Sequence, residues 1–207
     1  MSRRWLGAAA LLLVLLLTGS ARAAEPARLS PGEVLRGHFV QERTLTGFTR
    51  PIRSEGTFLL VPGQGLIWRG TVPFALVSVI TPGGLRQTLD GQETLHLSAA
   101  KLPFLGPLHD ILSAAMQGEW RPLEQAFLLS RTPQGTGTEV QLTPRPETPV
   151  AGLPVARIEA RVGSFVETVT ITRPGGDHDR LTFSGQQIEA GPLSAEEQAL
   201  FDRAAGR

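Results

Sequence analysis

Cysteine is absent from the 207-residue sequence. The chain therefore has no disulfide and no thiolate metal site, so its stability must come from packing. The four histidines, His38, His96, His109 and His178, share no spacing that suits a metal, and we expect no metal or other cofactor. The G-x-S-x-G, P-loop and G-x-G-x-x-G motifs are missing too. With no nucleophile–base pair to propose, we expect that the protein has no catalytic residues and is not an enzyme.

Long apolar runs are lacking except at the start of the chain. Arg3 and Arg4 precede an apolar run from Trp5 to Leu17, and Ala21-Arg22-Ala23 follows as a small-x-small cleavage pattern. A membrane-spanning helix needs about 20 apolar residues, whereas this run has 13. The pattern predicts a cleavable signal peptide over residues 1–23 and a protein that is soluble in the bacterial periplasm. Ser2-Arg3-Arg4 leaves the twin-arginine export route open beside the general secretory route.

The sequence also lacks an excess of charge of one sign. It has 20 basic and 19 acidic residues, and the predicted signal peptide holds three of the basic residues and no acid. Removing those three leaves 17 bases and 19 acids, a net charge of −2. This balance favours neither nucleic acid nor an anionic membrane surface as the main partner.

Strand-length pieces between Gly/Pro turns make up most of residues 24–207. Apolar residues at 156, 158, 160 and 162 alternate with 155, 157, 159 and 161, and this period of two predicts a half-buried strand. Residues 165–173 and 180–184 repeat the pattern around a hairpin turn at 174–177. Asp177-His178-Asp179 is interpreted as a solvated part of that turn. About ten such strands predict one mainly-β domain over residues 24–207, an antiparallel meander or barrel.

Helical patterns are few. Residues 105–117 carry an apolar stripe at three- and four-residue spacing, formed by Leu105, Leu108, Ile111, Leu112, Ala115 and Met116. Ser194 and Glu197 predict a capped helix over 194–202, and Ser30 to Glu33 predicts a short helix before the first strand. Because an amphipathic helix must bury its stripe, we expect helix 105–117 on the concave side of a curved sheet.

Several short motifs, taken in order, resemble those of the outer-membrane lipoprotein carrier (LolA-like) family. The similar segments are Phe39-Val40-Gln41 (F-x-Q), Ser54 to Phe58, Leu66-Ile67-Trp68 with Pro73 (W-x-x-x-x-P), Ile80 to Gly91, and Leu142-Thr143-Pro144 (L-x-P). The resemblance covers most of residues 35–185. Two features depart from the family pattern. Pro62 stands where known carriers have an arginine, and a helix-like tail replaces their C-terminal strand.

The resemblance implies an incomplete antiparallel β-barrel with a helical lid or plug and an apolar cavity for acyl chains. It also implies a monomeric periplasmic carrier that moves lipid or lipoprotein from an inner-membrane transporter to an outer-membrane acceptor. The departures favour a divergent paralogue, whose cargo (lipoprotein, glycolipid or lipid-linked pigment) the sequence leaves open. The alternative is a lipid- or protein-sensing interaction domain on the same half-barrel.

An acyl-chain carrier needs an apolar lining, because each exposed methylene costs about 0.8 kcal/mol and a 16-carbon chain on the order of 10 kcal/mol. For each candidate lining residue the alternative is ordinary core packing. The predicted lining consists of Phe39, Phe58, Leu60, Trp68, Val77 and Val79 from strands, and Leu105, Leu108, Ile111, Leu112 and Met116 from helix 105–117.

Overall fold

A computed structural model of the protein describes residues 27–98, 113–114, 119–147 and 155–205. Within these ranges, six strands come first, followed by the helical residues Ser113 and Ala114, a short helix, five more strands and a final helix. The strands are β1 Glu33–Thr44, β2 Ile52–Val61, β3 Gly65–Val72, β4 Leu76–Thr81, β5 Gly84–Leu89, β6 Gln92–Ser98, β7 Phe127–Gln134, β8 Gly137–Pro144, β9 Arg157–Val162, β10 Val166–Thr172 and β11 His178–Ala190. The helices are α1 Arg121–Ala126 and α2 Ala195–Ala204.

The eleven strands form one antiparallel sheet that does not close. Their order is β6-β5-β4-β3-β2-β1-β11-β10-β9-β8-β7, so β6 and β7 are the two end strands. Each half of the chain is a simple meander, and the halves join where β1 pairs with β11 from Glu33↔Ala190 to Thr44↔His178. This arrangement confirms the predicted fold class, a mainly-β incomplete barrel with helices.

The sheet has two apolar faces, because side chains alternate along each strand. Phe58 and Leu60 of β2 belong to one hydrophobic cluster, and Leu59 between them belongs to another. We call the face of Phe58 and Leu60 the inner face and the opposite face the outer face. Helix α2 covers the outer face of the first half of the sheet, where Phe201 and Ala204 pack against the second cluster.

The predicted C-terminal helix is present and begins at the predicted cap. The Ser194 hydroxyl accepts a hydrogen bond from the Glu197 backbone N–H at 3.2 Å, and the Glu197 carboxylate accepts one from the Ser194 N–H at 2.9 Å. Arg36 donates to the same carboxylate across the outer face. The hydrogen bond from Arg36 is the main cause that lowers the pKa of Glu197 to about 2. Local capping and a long-range ion pair therefore fix α2 together.

The predicted short helix after Ser30 is wrong. Ser30 N–H does donate to the Glu33 carboxylate at 2.7 Å, as in a capping box, but Glu33 begins β1. Gly32 has a φ of +86°, which lies outside the right-handed helical region. The Glu33 N–H closes a single turn by donating to the Ser30 carbonyl oxygen at 3.0 Å, and from Glu33 onward the chain pairs with β11 instead of continuing as a helix. Helix α1 was not predicted from the sequence.

The predicted helix 105–117 lies outside the described residues except at Ser113 and Ala114. Both are helical and buried, and Ala114 belongs to the inner-face cluster.

Candidate functional site: the apolar inner face

Four aromatic rings meet on the inner face. The rings of Phe39 and Trp68 stack with centroids 3.8 Å apart, and Phe58 meets Phe183 edge-on at 5.5 Å. Trp68 and Phe183 are 6.1 Å apart, also edge-on. Such stacked and edge-to-face contacts are the favourable geometries for aromatic pairs.

These ring contacts reach across the inner face and agree with the concave side of an incomplete barrel. Phe39 is on β1 and Trp68 on β3, and neighbouring strands lie about 4.8 Å apart, so the two backbones are about 10 Å apart. Rings from strands so far apart can stack only if their side chains lean toward each other. Gly56 of β2 lies opposite Phe39 and places no side chain between the rings. A Cβ at Gly56 would lie 1.8 Å from the Arg69 carbonyl oxygen, so a larger residue does not fit.

The apolar surface extends far beyond the aromatic rings. Every strand from β4 to β7 in sheet order contributes to the inner-face cluster, and so does α1 through Leu123. Its most completely buried members include Leu35, Leu60, Val140 and Val162. Other apolar members are only partly buried: Leu29, Trp68, Ile80, Trp120, Ala126, Leu129, Ile158, Phe165, Val169, Leu181 and Ile188. The inner face thus combines fully buried side chains with apolar side chains that remain partly accessible to solvent.

A buried ionic cluster borders the inner face at the β10–β11 hairpin. Asp179 is 2% exposed and accepts hydrogen bonds from Arg43 Nε at 2.7 Å, from Gln41 Nε2 at 3.0 Å and from Arg173. Burial by itself raises the pKa of Asp179, but the hydrogen bonds from Arg43, Arg173 and Gln41 outweigh it and leave that pKa below its ordinary value. The carboxylate therefore stays charged and joins β1 to the hairpin.

The local sequence pattern did not indicate this ionic cluster. Asp179 was interpreted as part of a solvated turn together with Asp177, yet its side chain is buried. The sequence does contain one indication of this cluster, because residues at even spacing along a strand lie on the same face. Asp179 lies at even spacing from the inner-face residues Leu181 and Phe183, and β1 places Arg43 at even spacing from Phe39.

The structure brings four of the predicted lining residues together and separates two others from them. Phe39, Phe58, Leu60 and Trp68 all belong to the inner-face cluster. Val77 and Val79 lie on the outer face, where they pack with the α2 cluster. In β4 the inner positions belong to Ser78 and Ile80, which pair with Trp68 and Leu66. The remaining predicted residues, Leu105, Leu108, Ile111, Leu112 and Met116, lie outside the described residues.

The described residues include no group of three or more His, Cys, Asp and Glu side chains placed to hold a metal ion. Within the same ranges, no helix is long and apolar enough to cross a membrane.

The sequence matches no family model and no curated protein. Several solved structures are similar to this chain at low identity. A LolA superfamily protein from Nitrosomonas europaea is 10% identical with a TM-score of 0.39, covering 82% of this chain and 90% of that one. A putative outer membrane lipoprotein-sorting protein domain from Vibrio parahaemolyticus is 7% identical with a TM-score of 0.40, covering 85% and 94%. A DUF1329 family protein from Desulfovibrio piger is 9% identical with a TM-score of 0.42, covering 80% and 89%.

Proposed function

We propose that this protein is a periplasmic carrier that shields the acyl chains of a lipid or lipoprotein against its inner face. The observation that supports the proposal is a continuous, concave apolar face on a sheet whose end strands do not pair. A small closed barrel is filled by its own side chains and leaves no room for cargo. An open sheet gives a long apolar molecule lateral access to the same kind of interior.

The energetics of transfer explain why such a face is useful. An acyl chain of 16 carbons in water costs on the order of 10 kcal/mol, at about 0.8 kcal/mol for each methylene. Partly buried rings such as Trp68 and Trp120 supply contact surface without a large loss of side-chain freedom on binding. Contacts with the inner face can therefore offset much of the free-energy cost of removing the acyl chain from a membrane.

Release of the cargo requires that binding is not too strong. Ser113 and Ala114 are helical, and Ala114 is buried in the inner-face cluster, so it already occupies some of the apolar face. A lipid would compete with it for the same surface, and the net affinity would fall by the cost of displacing these helical residues. Such competition suits a carrier that hands cargo from an inner-membrane transporter to an outer-membrane acceptor without catalysis.

Mass spectrometry of organic extracts from natively purified protein tests the proposal. We expect acyl lipid in near-stoichiometric amount, and its mass identifies the cargo as lipoprotein, glycolipid or another lipid. A matched sample of an unrelated periplasmic protein purified in the same way controls for carry-over. An extract without lipid, together with a protein partner that co-purifies instead, would refute the carrier and support the sensing domain.

A further inference from the structure

The large hydrophobic side chains that the described residues expose all lie at one end of the sheet. They are Phe48, Ile52, Val72, Phe74, Leu76 and Leu128. Because the sheet is antiparallel, the end of β1, the start of β2, the end of β3 and the starts of β4 and β7 share this end. At the opposite end, the connections 62–64, 82–83 and 135–136 contain Gly, Pro, Gln and Thr, and Phe165 in the connection 163–165 is partly buried against the inner-face cluster. Apolar exposure is therefore a property of one end and not of the surface in general.

Five of the six side chains belong to two neighbouring connections, which we call the loop pair. The loop pair consists of residues 45–51 between β1 and β2 and residues 73–75 between β3 and β4, with the strand residues next to them. The two loops lie side by side because β2 pairs with β3. Phe48 and Phe74 are the most exposed, at 66% and 64%. Leu128, the sixth, is on the end strand β7 and lies outside the loop pair.

The loop pair itself contains one arginine and no acid, and two acids lie beside it: Asp177 accepts a hydrogen bond from the Thr46 N–H, and the Asp90 N–H donates to the Ala75 carbonyl oxygen. In sequence, no acid occurs between Glu42 and Glu55, or between Glu55 and Asp90, whereas Arg50 lies in the first loop and Arg43 and Arg53 flank it. Arg43 pairs with Asp179 and Arg53 with Glu55. No ion pair or hydrogen bond of Arg50 is found among the described residues, and it lies between Phe48 and Ile52 in sequence. Exposed aromatic and aliphatic side chains next to an arginine are typical of segments at a membrane interface.

We propose that the loop pair docks the protein on the surface of a phospholipid bilayer, with Phe48 and Phe74 inserted at the level of the headgroups. The narrow shape of the contact favours a bilayer over a protein partner. One loop has seven residues and the other three, whereas a standard protein interface uses roughly 20–30 residues on each side. Narrow apolar tips fit a soft, deformable surface better than a flat rigid one. This inference goes beyond the carrier function, because docking concerns the outside of the sheet and not the inner face.

Co-sedimentation with lipid vesicles tests the docking. The protein, expressed from the full sequence and purified, is mixed with vesicles of phosphatidylcholine alone or with added phosphatidylglycerol. We expect binding to both and stronger binding with phosphatidylglycerol. Phe48→Ser and Phe74→Ser should each reduce the partition coefficient about tenfold, because each removes one inserted ring. Arg50→Gln should weaken only the binding that depends on phosphatidylglycerol.

Leu128→Ser is the matched control, because Leu128 is equally apolar, exposed and at the same end but outside the loop pair. It should leave binding unchanged within about twofold, and all variants should keep the wild-type circular dichroism because the replaced side chains are exposed. The inference is overturned if the wild type stays in the supernatant with both kinds of vesicle. It is equally overturned if the variant that lacks both Phe48 and Phe74 still sediments, or if Leu128→Ser reduces binding as strongly.

The outcome is separable from that of the carrier proposal. Lipid in the organic extract reports on the inner face, and sedimentation reports on the loop pair, so either can fail while the other holds.

Discussion

Asp179→Asn should destabilise the protein by about 2–3 kcal/mol at neutral pH. The carboxylate is buried and accepts hydrogen bonds from Arg43, Arg173 and Gln41. A hydrogen bond to a charged group contributes about 1.5–3 kcal/mol, and breaking a buried ion pair costs about 3–5 kcal/mol. The arginine side chains are 45% and 29% exposed, so water compensates part of the loss. Because of this exposure, we expect a loss of stability below the range for a fully buried ion pair.

Equilibrium unfolding in urea, followed by circular dichroism, measures this change. Because the pKa of Asp179 is lowered in the folded state, its contribution is present above the unfolded value and is lost as the pH falls through the folded value. The difference between wild type and Asp179→Asn should therefore shrink in strong acid. Asp177→Asn is the control in the same hairpin. Asp177 is less buried than Asp179 and accepts from the Thr46 N–H at 2.7 Å, so Asp177→Asn should lower the free energy of unfolding by less than Asp179→Asn. Equal stabilities of wild type and Asp179→Asn at neutral pH would refute the reasoning.

Three further predictions concern α2 and the inner face. Glu197→Gln should lower the free energy of unfolding by about 1 kcal/mol at neutral pH, since it removes a charged partner of Arg36. That difference should disappear as the pH falls from 4.5 toward about 2, measured by urea unfolding. Leu112→Glu should abolish lipid co-purification while far-ultraviolet circular dichroism stays unchanged, and retained lipid would show that the stripe of helix 105–117 faces elsewhere. Added lipid should shift the intrinsic fluorescence of a chain without Trp5, because Trp68 and Trp120 both pack on the inner face; an unchanged spectrum in a sample that demonstrably binds lipid would place the cargo elsewhere.

The sequence predicts best those strands that are covered on one face only. Residues 155–162 alternate because one side of β9 packs in the core and the other is exposed to solvent, and the pattern correctly identifies Ile158 and Ala160 as core-facing. The hairpin at 174–177 and the cap at Ser194 were equally accessible, because each depends on local backbone chemistry.

Prediction was poorer where both faces of the sheet are covered. In β2, Phe58, Leu59 and Leu60 are all buried, because α2 covers the outer face and the inner-face cluster covers the other. An unbroken apolar run carries no period of two and does not say which side chain faces which way. In β4 the alternation of Val77 and Val79 with Ser78 predicts that the two valines share a face, but it does not say that this face is the outer one, which α2 covers. The partners of Asp179 on β1 could not be predicted from the local sequence either, because 136 residues separate Asp179 from Arg43.

The pairing of the first strand with the last has a consequence for biogenesis. Residues 33–44 find their second neighbour only when residues 178–190 are present, so the two meanders can join only after residues 178–190 have been synthesised. Contacts between such distant segments fold slowly compared with local ones. Until then β1 keeps a free hydrogen-bonding edge, which is a site for mispairing and for chaperone binding. A truncation before His178 should therefore leave two separate meanders prone to aggregation rather than a smaller version of the same protein.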